Sequence, residues 1–355
     1  MGDRLEEYRR KRDARKTPEP VPAVAPEAGS DNTFVIQQHH ARSLHWDLRL
    51  ERNGVLVSWA VPRGVPRDPS RNHLAVNTED HPMEYADFSG EIPAGEYGAG
   101  RMTIYDRGTY TTEKWRDGEV IVILHGEKVS GRYVLFRTAG KDWMIHRMDP
   151  PEPDWTPMPE LVPPMSAMAT TRLPTADDDW AYELDWAGLR AAAFVSGGRL
   201  RLVDAEGGDI TSGYPEVRPM AEDLAPTECV LDGEIVVFDA AGRVSASALE
   251  KRIAASTGSA ARRTTTRTPV QYLVYDVLWL DGKSTVELPY ADRRALLDGL
   301  DITGPHWQTP PHFTGGGQFA LRASEQYGLP GVIAKRLDAP YAAGRRTRTW
   351  LRIGA

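Results

Sequence analysis

The clearest hydrophobic pattern in this 355-residue chain is a strict alternation over residues 44–51. Leu44, Trp46, Leu48 and Leu50 are apolar, and every residue between them can ionise: His45, Asp47, Arg49 and Glu51. Period-two alternation predicts a β-strand with one face on a core. Asn53-Gly54 follows, and this pair between alternating residues predicts a hairpin with a partner strand over Val55–Val61.

Further short strand patterns fill the first 150 residues, with Gly and Asp between them. They cover His73–Asn77, Arg101–Tyr105, Glu119–His125 and Arg132–Arg137. Short strands at this spacing, with little helix, predict a small antiparallel barrel or sandwich. Seven prolines within residues 149–165 then mark a domain boundary.

In the second half of the chain, the hydrophobic positions repeat with both helical and strand periods. Amphipathic helices are predicted near Tyr214–Leu224, Ala248–Ser256 and Ala291–Leu300, and apolar strands over Cys229–Asp239 and Val270–Trp279. We therefore expect a two-domain α+β protein. Its parts are a basic helix within residues 3–16 and a proline-rich tether up to residue 31, a β domain over 32–149, a linker over 150–165 and an α+β domain over 166–355.

Composition narrows the class of protein. A net charge of −7 argues against nucleic-acid binding through the whole surface, so any DNA contact must come from a local patch. A single cysteine, Cys229, excludes an internal disulfide and a cysteine-based metal site. No apolar run has the length of a membrane span, and the charged opening differs from a signal peptide, so we expect a cytosolic protein.

The polar face of the alternating strand is a candidate metal site. Imidazole and carboxylate are ligands of divalent transition metals, and His45 and Asp47 can both reach one ion, with His39 as a third ligand. Arg49, one step further on the same face, would meet an anion bound to the metal. The competing interpretation is a salt-bridged face in solvent. Seven of the nine histidines precede residue 150, which favours the metal.

Three long motifs then carry a family resemblance. FVIQQHHARSLHWDLRLE, SWAVPRG and LAVNTEDHPMEYADFSGEIPAGEYGAG resemble the 3′-phosphoesterase module of bacterial DNA ligase D, from about Arg12 to Asp149. The resemblance implies active-site roles for His81, beside the phosphate, and for Tyr85. It implies functional roles around the phosphate for Arg12, Asp13 and Glu19, and a contact of Arg63 with the scissile phosphate or the strand.

This chain departs from the family pattern at two positions, and it contains one glycine-rich segment that only superficially resembles a phosphate loop. Gln38 and His73 stand where the family has Lys and Arg, so each weakens one phosphate contact. Residues 95–100, Gly-Glu-Tyr-Gly-Ala-Gly, lack the Lys-Ser/Thr of a phosphate loop and more simply form a turn.

The second half resembles the nucleotidyltransferase core of an ATP-dependent DNA ligase of the same type, through LDGEIVVFD, YLVYDVLWLDG and GVIAKR. Such ligases carry E-x-K-W-D-G-x-R, whose lysine attacks the nucleotide; residues 183–190 read ELDWAGLR, with Asp185 at the nucleophile position and Ala187 beside it. Pro330 replaces a family Glu, and Arg352 stands near a family Lys. An aspartate cannot form the lysine phosphoramidate. The sequence also stops at Ala355, ahead of the expected OB-fold, so we expect a degenerate ligase domain that does not use ATP.

The resulting hypothesis is a bacterial metal-dependent phosphoesterase that heals DNA 3′ ends in double-strand break repair by non-homologous end joining. It would remove 3′-phosphates and terminal 3′ ribonucleotides from DNA or DNA–RNA ends at primer–template junctions, near the nucleoid, with Mn²⁺ preferred over Co²⁺ or Zn²⁺. Arg49 and His81 would neutralise charge in the transition state. Candidate partners are a Ku-type end binder and a separate ligase or polymerase.

Three alternatives remain from the sequence. A non-haem iron oxygenase would need a second histidine far downstream at a strand end. A working ATP-dependent DNA ligase and a non-catalytic DNA-end scaffold are the others.

Overall fold

The computed structural model describes residues 3–24, 29–151, 153–255 and 263–354. The chain divides into two compact units, Met1–Pro153 and Asp154–Ala355. Among the described residues, no helix combines the length and the apolar character that crossing a bilayer requires.

The first unit is an antiparallel β-barrel preceded by a short helix. Its elements are α1 (Glu6–Arg10), β1 (Thr33–His40), β2 (Leu44–Arg52), β3 (Val55–Val61), β4 (His73–Asn77), β5 (His81–Pro82), a 3₁₀ turn (Met83–Asp87), β6 (Gly90–Ile92), β7 (Gly100–Arg116), β8 (Glu119–Gly126), β9 (Ser130–Ala139) and β10 (Asp142–Arg147). Eight strands pair in the order β1-β2-β3-β4-β10-β9-β8-β7, and β7 pairs again with β1. The sheet therefore closes, and of the two predicted architectures the barrel is confirmed.

The predicted hairpin organises this barrel. Strands β2 and β3 pair with Arg52 opposite Val55, and the two loop residues, Asn53 and Gly54, have φ values of 52° and 77°. Positive φ at both positions is the backbone of the primed turn that suits twisted strands. The bounds of β3 and β4 are those predicted, whereas the predicted strand at Arg101–Tyr105 is only the start of β7.

Strand β1 was not predicted because its sequence does not alternate. Phe34, Val35 and Ile36 are consecutive and all buried. The strand lies between β2 and β7, and its pairing shifts register between Ile36 and Gln37. A run of apolar residues without a period cannot be assigned to strand or helix from sequence.

The N-terminal segment packs on the barrel instead of forming a tether. Helix α1 is much shorter than predicted, but Leu5 and Tyr8 are fully buried in an apolar cluster with Leu56 and Tyr85. Further along, the side chain of Glu19 is also buried. Within the predicted tether, Thr17 and Glu19 are buried and Val21 packs against this cluster, whereas Ala23 and Val24 are exposed.

The second unit contains two sheets with helices against them. Its strands are β11 (Ser166–Thr170), β12 (Trp180–Leu184), β13 (Leu189–Ser196), β14 (Arg199–Asp204), β15 (Cys229–Val236), β16 (Gln271–Leu280), β17 (Lys283–Ser284), β18 (Thr303–Gly304), β19 (Trp307–Gln308), β20 (Phe313–Thr314), β21 (Gly331–Arg336) and β22 (Arg346–Gly354). Its helices are α2 (Met220–Leu224), α3 (Ala246–Ala254), α4 (Tyr290–Asp298) and α5 (Gly317–Gln326), with 3₁₀ turns at Asp177–Asp179, Thr211–Gly213 and Pro215–Val217.

The strands form a five-stranded sheet, β11-β22-β21-β12-β20, and a seven-stranded sheet, β14-β13-β15-β16-β19-β18, with β17 beside β16. The predicted helix at Tyr214–Leu224 is split into a 3₁₀ turn and α2, with Pro219 at the break. The end of the helix predicted at Ala248–Ser256 lies outside the described residues. The predicted linker is partly core, since Val162 and Met165 are buried in an apolar cluster with Trp279.

Candidate active site

Three predicted ligands meet where β1 and β2 pair. The register places His39 directly opposite His45, with their ring centroids 4.7 Å apart. His39 Nδ1 lies 4.0 Å from Asp47 Oδ2, and His45 Nε2 lies 3.8 Å from Asp47 Oδ1. One ligand atom from each residue therefore lies within 4.8 Å of the others.

Backbone carbonyls orient both imidazoles. His39 Nε2–H donates to the Gly98 carbonyl over 2.9 Å, and His45 Nδ1–H donates to the Ser43 carbonyl over 3.0 Å. A carbonyl can only accept, so the other nitrogen of each ring keeps its lone pair for the shared centre. This is how outer contacts fix the tautomer of metal-binding histidines. The donor set of two imidazoles and one carboxylate fits a divalent transition metal, and it does not select one metal.

Burial removes the competing interpretation of a solvent-exposed face. Asp47 is 5% exposed and Arg49 is 2% exposed. Burial also lowers the pKa of His39, against the opposing effect of Asp47, so its neutral, ligating form is favoured. The row of ionisable residues on β2 is thus an interior polar site.

Arg49 is tied to the ligand cluster by all three of its nitrogens. Nη2 donates to Asp47 Oδ2 over 2.8 Å, Nε donates to Gln37 Oε1 over 2.7 Å, and Nη1 donates to Ser58 Oγ over 3.0 Å. Its guanidinium also lies 4.7 Å from the centre of the Tyr85 ring. The expectation that Arg49 serves only to meet an anion is incomplete, because the same group holds the carboxylate of Asp47, a predicted metal ligand.

The N-terminal segment supplies the opposite wall of the site. Arg12 Nε donates to Glu19 Oε1 over 2.8 Å, and its Nη1 donates to Glu79 Oε1 over 3.0 Å. The Tyr85 hydroxyl donates to the same Glu19 oxygen over 2.9 Å. Together with the ligand cluster, Arg49 and His81, these residues line a cavity of about 190 Å³.

His81 is buried and held as a neutral ring. Its Nδ1–H donates to the Glu79 carbonyl over 2.8 Å, and its Nε2 faces Arg12 Nη2 at 3.4 Å. Burial, aided by Arg49 and Arg12, holds the pKa of His81 well below its usual value. The charge-neutralising role of His81 stays a prediction, and Arg12 and Arg49 are the other cationic candidates in the cavity lining.

The structure does not bring three of the sequence candidates into the cavity. Asp13 is exposed and accepts a hydrogen bond from the backbone N–H of Arg15. Arg63 is exposed, and His73 Nδ1–H donates to the Gly64 carbonyl over 2.7 Å. None of them is among the residues that line the cavity.

Several residues of the site were missed from the sequence. Gln37 and Ser58 hold Arg49, Glu79 holds Arg12, and Tyr97 lines the cavity. Gln37 had a usable signal, since once β1 pairs with β2 it falls opposite Asp47. Ser58 had one too, since in the predicted hairpin it falls opposite Arg49. Glu79 and Tyr97 belong to segments that the folded barrel brings to the site.

Buried histidines predict a fall in stability at mildly acidic pH. The pKa values of His39, His73 and His81 are all lowered by burial from an ordinary value of 6.5. Below about pH 6.5, these histidines therefore bind protons in the unfolded chain but remain neutral in the folded chain. The stabilisation is fully present above that pH and is lost as pH falls, with a limiting slope of about 1.4 kcal/mol per pH unit for each histidine.

This slope can be measured by denaturant unfolding of the metal-free protein between pH 5 and pH 7.5. His81→Asn, which keeps a donor for the Glu79 carbonyl, should flatten the curve. The matched change His125→Asn, at an exposed histidine, should leave the slope as in the parent. An unchanged slope in His81→Asn would show that His81 is protonated in the folded state.

A second cavity, of about 340 Å³, lies in the ligase-like unit and contains the Asp185 position. Arg352 Nε donates to Asp185 Oδ2 over 2.5 Å, and Asp185 Oδ1 accepts from the Ala187 backbone N–H over 3.2 Å. Ala187 has a φ of 50°, which is unusual for a residue with a Cβ. The residue at the nucleophile position is therefore a carboxylate neutralised by a neighbouring guanidinium.

Two more cations of this cavity, Lys335 and Arg190, are also paired. Lys335 Nζ lies 2.8 Å from Glu183 Oε2, and Arg190 Nε donates to Asp232 over 2.7 Å. Burial lowers the pKa of Lys335 in spite of Glu183. Burial likewise raises the pKa of Glu234, on the same cavity wall, to about 7.

Family models match both units. Residues 37–137 match the DNA ligase D 3′-phosphoesterase domain, and residues 159–353 match the ATP dependent DNA ligase domain. The second match runs against the expectation that ATP plays no part. It leaves open whether the ligase domain is degenerate.

Curated relatives cover the whole chain. The multifunctional non-homologous end joining DNA repair protein LigD of Mycobacterium tuberculosis H37Rv is 46% identical over 356 residues, which are 99% of this chain and 45% of the relative. Multifunctional non-homologous end joining protein LigD of Pseudomonas aeruginosa is 33% identical, over 98% of this chain and 47% of its own length. This chain thus spans about half the length of these relatives.

Among solved structures, mycobacterial DNA ligase D complexed with ATP and MES matches 55% of this chain and 60% of its own, at 35% identity and a TM-score of 0.48. The family assignment rests on the sequence matches, which cover both units in order. The chain belongs to the ATP-dependent DNA ligase family and carries, ahead of its ligase domain, a domain of the DNA ligase D 3′-phosphoesterase family.

Proposed function

We propose that the first unit is a metal-dependent phosphoesterase that removes 3′-phosphates and terminal 3′ ribonucleotides from DNA ends. The observation that carries this proposal is the cluster of His39, His45 and Asp47, in which two carbonyls and Arg49 fix all three ligands. The match to the 3′-phosphoesterase family supports the choice of substrate.

The metal would be held by these three residues, and when bound it supplies a Lewis acid for the phosphoryl group. The chain itself supplies positive charge around it. Arg12 is fixed by Glu19 and Glu79, and Arg49 by Gln37 and Ser58, so neither guanidinium must reorganise when charge develops on a phosphate. Arg12 joins Arg49 in this role, since both guanidinium groups line the cavity.

A direct test uses a primer–template with a 3′-phosphate and another that ends in a single 3′ ribonucleotide. The protein should release phosphate from the first and the terminal nucleoside from the second in Mn²⁺, and neither product in EDTA. Re-addition of Mn²⁺, Co²⁺ or Zn²⁺ identifies the metals that restore activity. Release that persists in EDTA would contradict the proposal.

The bracing of Asp47 predicts the effect of Arg49→Lys. A lysine keeps the charge but cannot contact Asp47, Gln37 and Ser58 together, so Asp47 loses its fixed orientation. Losses of this kind cost about 10- to 100-fold in metal affinity or activity. Turnover and Mn²⁺ affinity should fall together, as measured by phosphate release and calorimetry.

The matched control is Arg52→Lys, on the same strand but outside the cavity lining. It should leave both quantities near those of the parent protein. A fall in turnover with unchanged Mn²⁺ affinity in Arg49→Lys would return Arg49 to the sequence hypothesis, in which it contacts only the phosphate.

The names of both relatives refer to non-homologous end joining. We propose that this protein acts on DNA ends in the same process in bacteria, with a Ku-type end binder and a separate ligase or polymerase as candidate partners. The iron-oxygenase alternative loses its distinguishing feature, because the second histidine is His39, six residues before His45, and not a distant downstream residue.

For the second unit we propose a ligase fold that does not form a covalent adenylate at Asp185. The ion pair between Asp185 and Arg352 favours this. At the position where the family has the attacking lysine amine, this chain has a carboxylate neutralised by a guanidinium. Such a domain would serve as a docking surface that presents a 3′ end to the first unit's site, and gel shifts with and without the domain test that role.

A further inference from the structure

Tyr97 is an aromatic residue of the phosphoesterase cavity whose ring remains open to solvent. It is 47% exposed, whereas Tyr85, in the same wall, is 1% exposed. No step of the chemistry proposed above uses it. An exposed aromatic ring at the mouth of a polar cavity is a candidate contact for a flat apolar group.

The glycine loop fixes Tyr97 beside the ligand cluster. A Cβ at Gly100, whose φ is 137°, would lie 2.2 Å from the His40 carbonyl oxygen, so the loop runs tightly against β1. The carbonyl of Gly98, one residue after Tyr97, accepts the hydrogen bond from His39. The loop therefore orients a metal ligand and places the tyrosine at the rim with the same short segment.

Contacts from the N-terminal segment hold the ring still. Lys11 Nζ lies 3.3 Å from the Tyr97 hydroxyl and 4.6 Å from its ring centre. The hydroxyl donates to Glu79 Oε2 over 3.4 Å. A ring that is already ordered loses little conformational entropy when a ligand stacks on it.

The size of the cavity determines what reaches this ring. About 190 Å³ is less than the roughly 300–1,000 Å³ of pockets that enclose a drug-sized molecule. A cavity of this size would hold a 3′-phosphate and its sugar and leave the base at the rim. Every base has a π-face, so an aromatic platform there accepts all four bases.

We propose that Tyr97 is a specificity residue that stacks on the base of the 3′-terminal nucleotide while its phosphate enters the cavity. This inference rests on the proposed 3′-phosphoesterase function. It adds that the enzyme recognises a nucleotide at the end of the strand and not merely a phosphate monoester. The competing role for Tyr97 is to brace Lys11 and Glu79 through its hydroxyl.

The test compares two 3′-phosphate primer–templates that are identical except that the terminal nucleotide carries a base or is abasic. Tyr97→Ala should raise KM for the base-containing substrate by about 5- to 150-fold, the range expected for base–aromatic stacking, with kcat little changed. On the abasic substrate, Tyr97→Ala and the parent should agree within about two-fold. Tyr97→Phe keeps the ring and should behave like the parent on both.

Two kinetic results would overturn the proposal. One is an equal loss for Tyr97→Ala on both substrates, and the other is a loss for Tyr97→Phe that matches Tyr97→Ala, since both point to the hydroxyl as a brace. Fluorescence anisotropy with the two primer–templates gives a readout that does not need turnover. Suppose that the parent protein released no phosphate but bound the base-containing end more tightly than the abasic end, and that Tyr97→Ala bound both ends equally. The 3′-phosphoesterase proposal would then fail, whereas the stacking proposal would stand. Equal binding of both ends by the parent would refute stacking.

Discussion

Asp47→Asn should reduce the release of 3′-phosphate to the level of the EDTA-treated protein. Loss of contacts that merely orient a metal ligand costs about 10- to 100-fold, so loss of the charged ligand itself should exceed about a hundred-fold. Asn is the sharper choice than Ala, because its carbonyl still accepts from the buried Arg49 guanidinium. Ala would also remove the acceptor of the buried Arg49 Nη2, and an unsatisfied buried donor costs about 1–3 kcal/mol of stability.

His45→Ala should have the same effect. The Nδ1–H of His45 donates to the Ser43 carbonyl, so its Nε2 is the atom that would bind the metal together with His39 and Asp47. The control is His40→Ala, which removes the histidine next to His39 on β1 but outside the cavity lining. Calorimetry with Mn²⁺ and thermal unfolding accompany the assay. Near-parental activity of Asp47→Asn or His45→Ala in Mn²⁺ would show that the ligand assignment is wrong.

Incubation of the protein with radiolabelled ATP and Mg²⁺ or Mn²⁺ should yield no covalent adenylate. The attacking group in this family is a lysine, and Asp185 is a carboxylate paired with Arg352. Asp185→Lys alone should also fail to seal nicks, because the new lysine would face Arg352, and because Ala187 and Pro330 are further departures from the family pattern. Denaturing gel electrophoresis and a nick-sealing assay measure the two steps.

The remaining candidate nucleophile is Lys335, which lines the same cavity and whose pKa burial lowers. Its amine is surrounded by the rings of Trp350 and Tyr275 and is paired with Glu183. Lys335→Met is therefore the control variant. Adenylate on the parent protein that disappears in Lys335→Met would identify a relocated nucleophile and restore the ligase alternative.

Strand β2 shows how much of the site the hydrophobic periodicity of the sequence can predict. The alternation over residues 44–51 placed His45, Asp47 and Arg49 on one face, because successive side chains of a strand point to opposite sides. The Asn-Gly turn fixed the partner strand for the same local reason. Sequence alone could not show that this face is buried, because burial depends on what covers it.

The N-terminal segment illustrates the opposite case. A basic run followed by prolines has the composition of a solvated tether, and Arg12 and Glu19 were singled out only by resemblance. In the structure Leu5 and Tyr8 anchor the segment in the barrel core, which brings Arg12 and Glu19 to the cavity wall. These contacts join residues that are far apart in the chain, and no local period encodes them.

The chain's own sequence thus determined the alternating strand, its hairpin, the candidate pair of ligands at positions 45 and 47, and the aspartate at position 185. Each of these depends on one residue type or on neighbours within a few positions. Only the tertiary structure decided that β1 supplies His39 opposite His45, that Gln37 of β1 helps to hold Arg49, and that Tyr97 stands at the rim. Those arrangements follow from strand register and barrel closure, which are set by the packing of the whole unit.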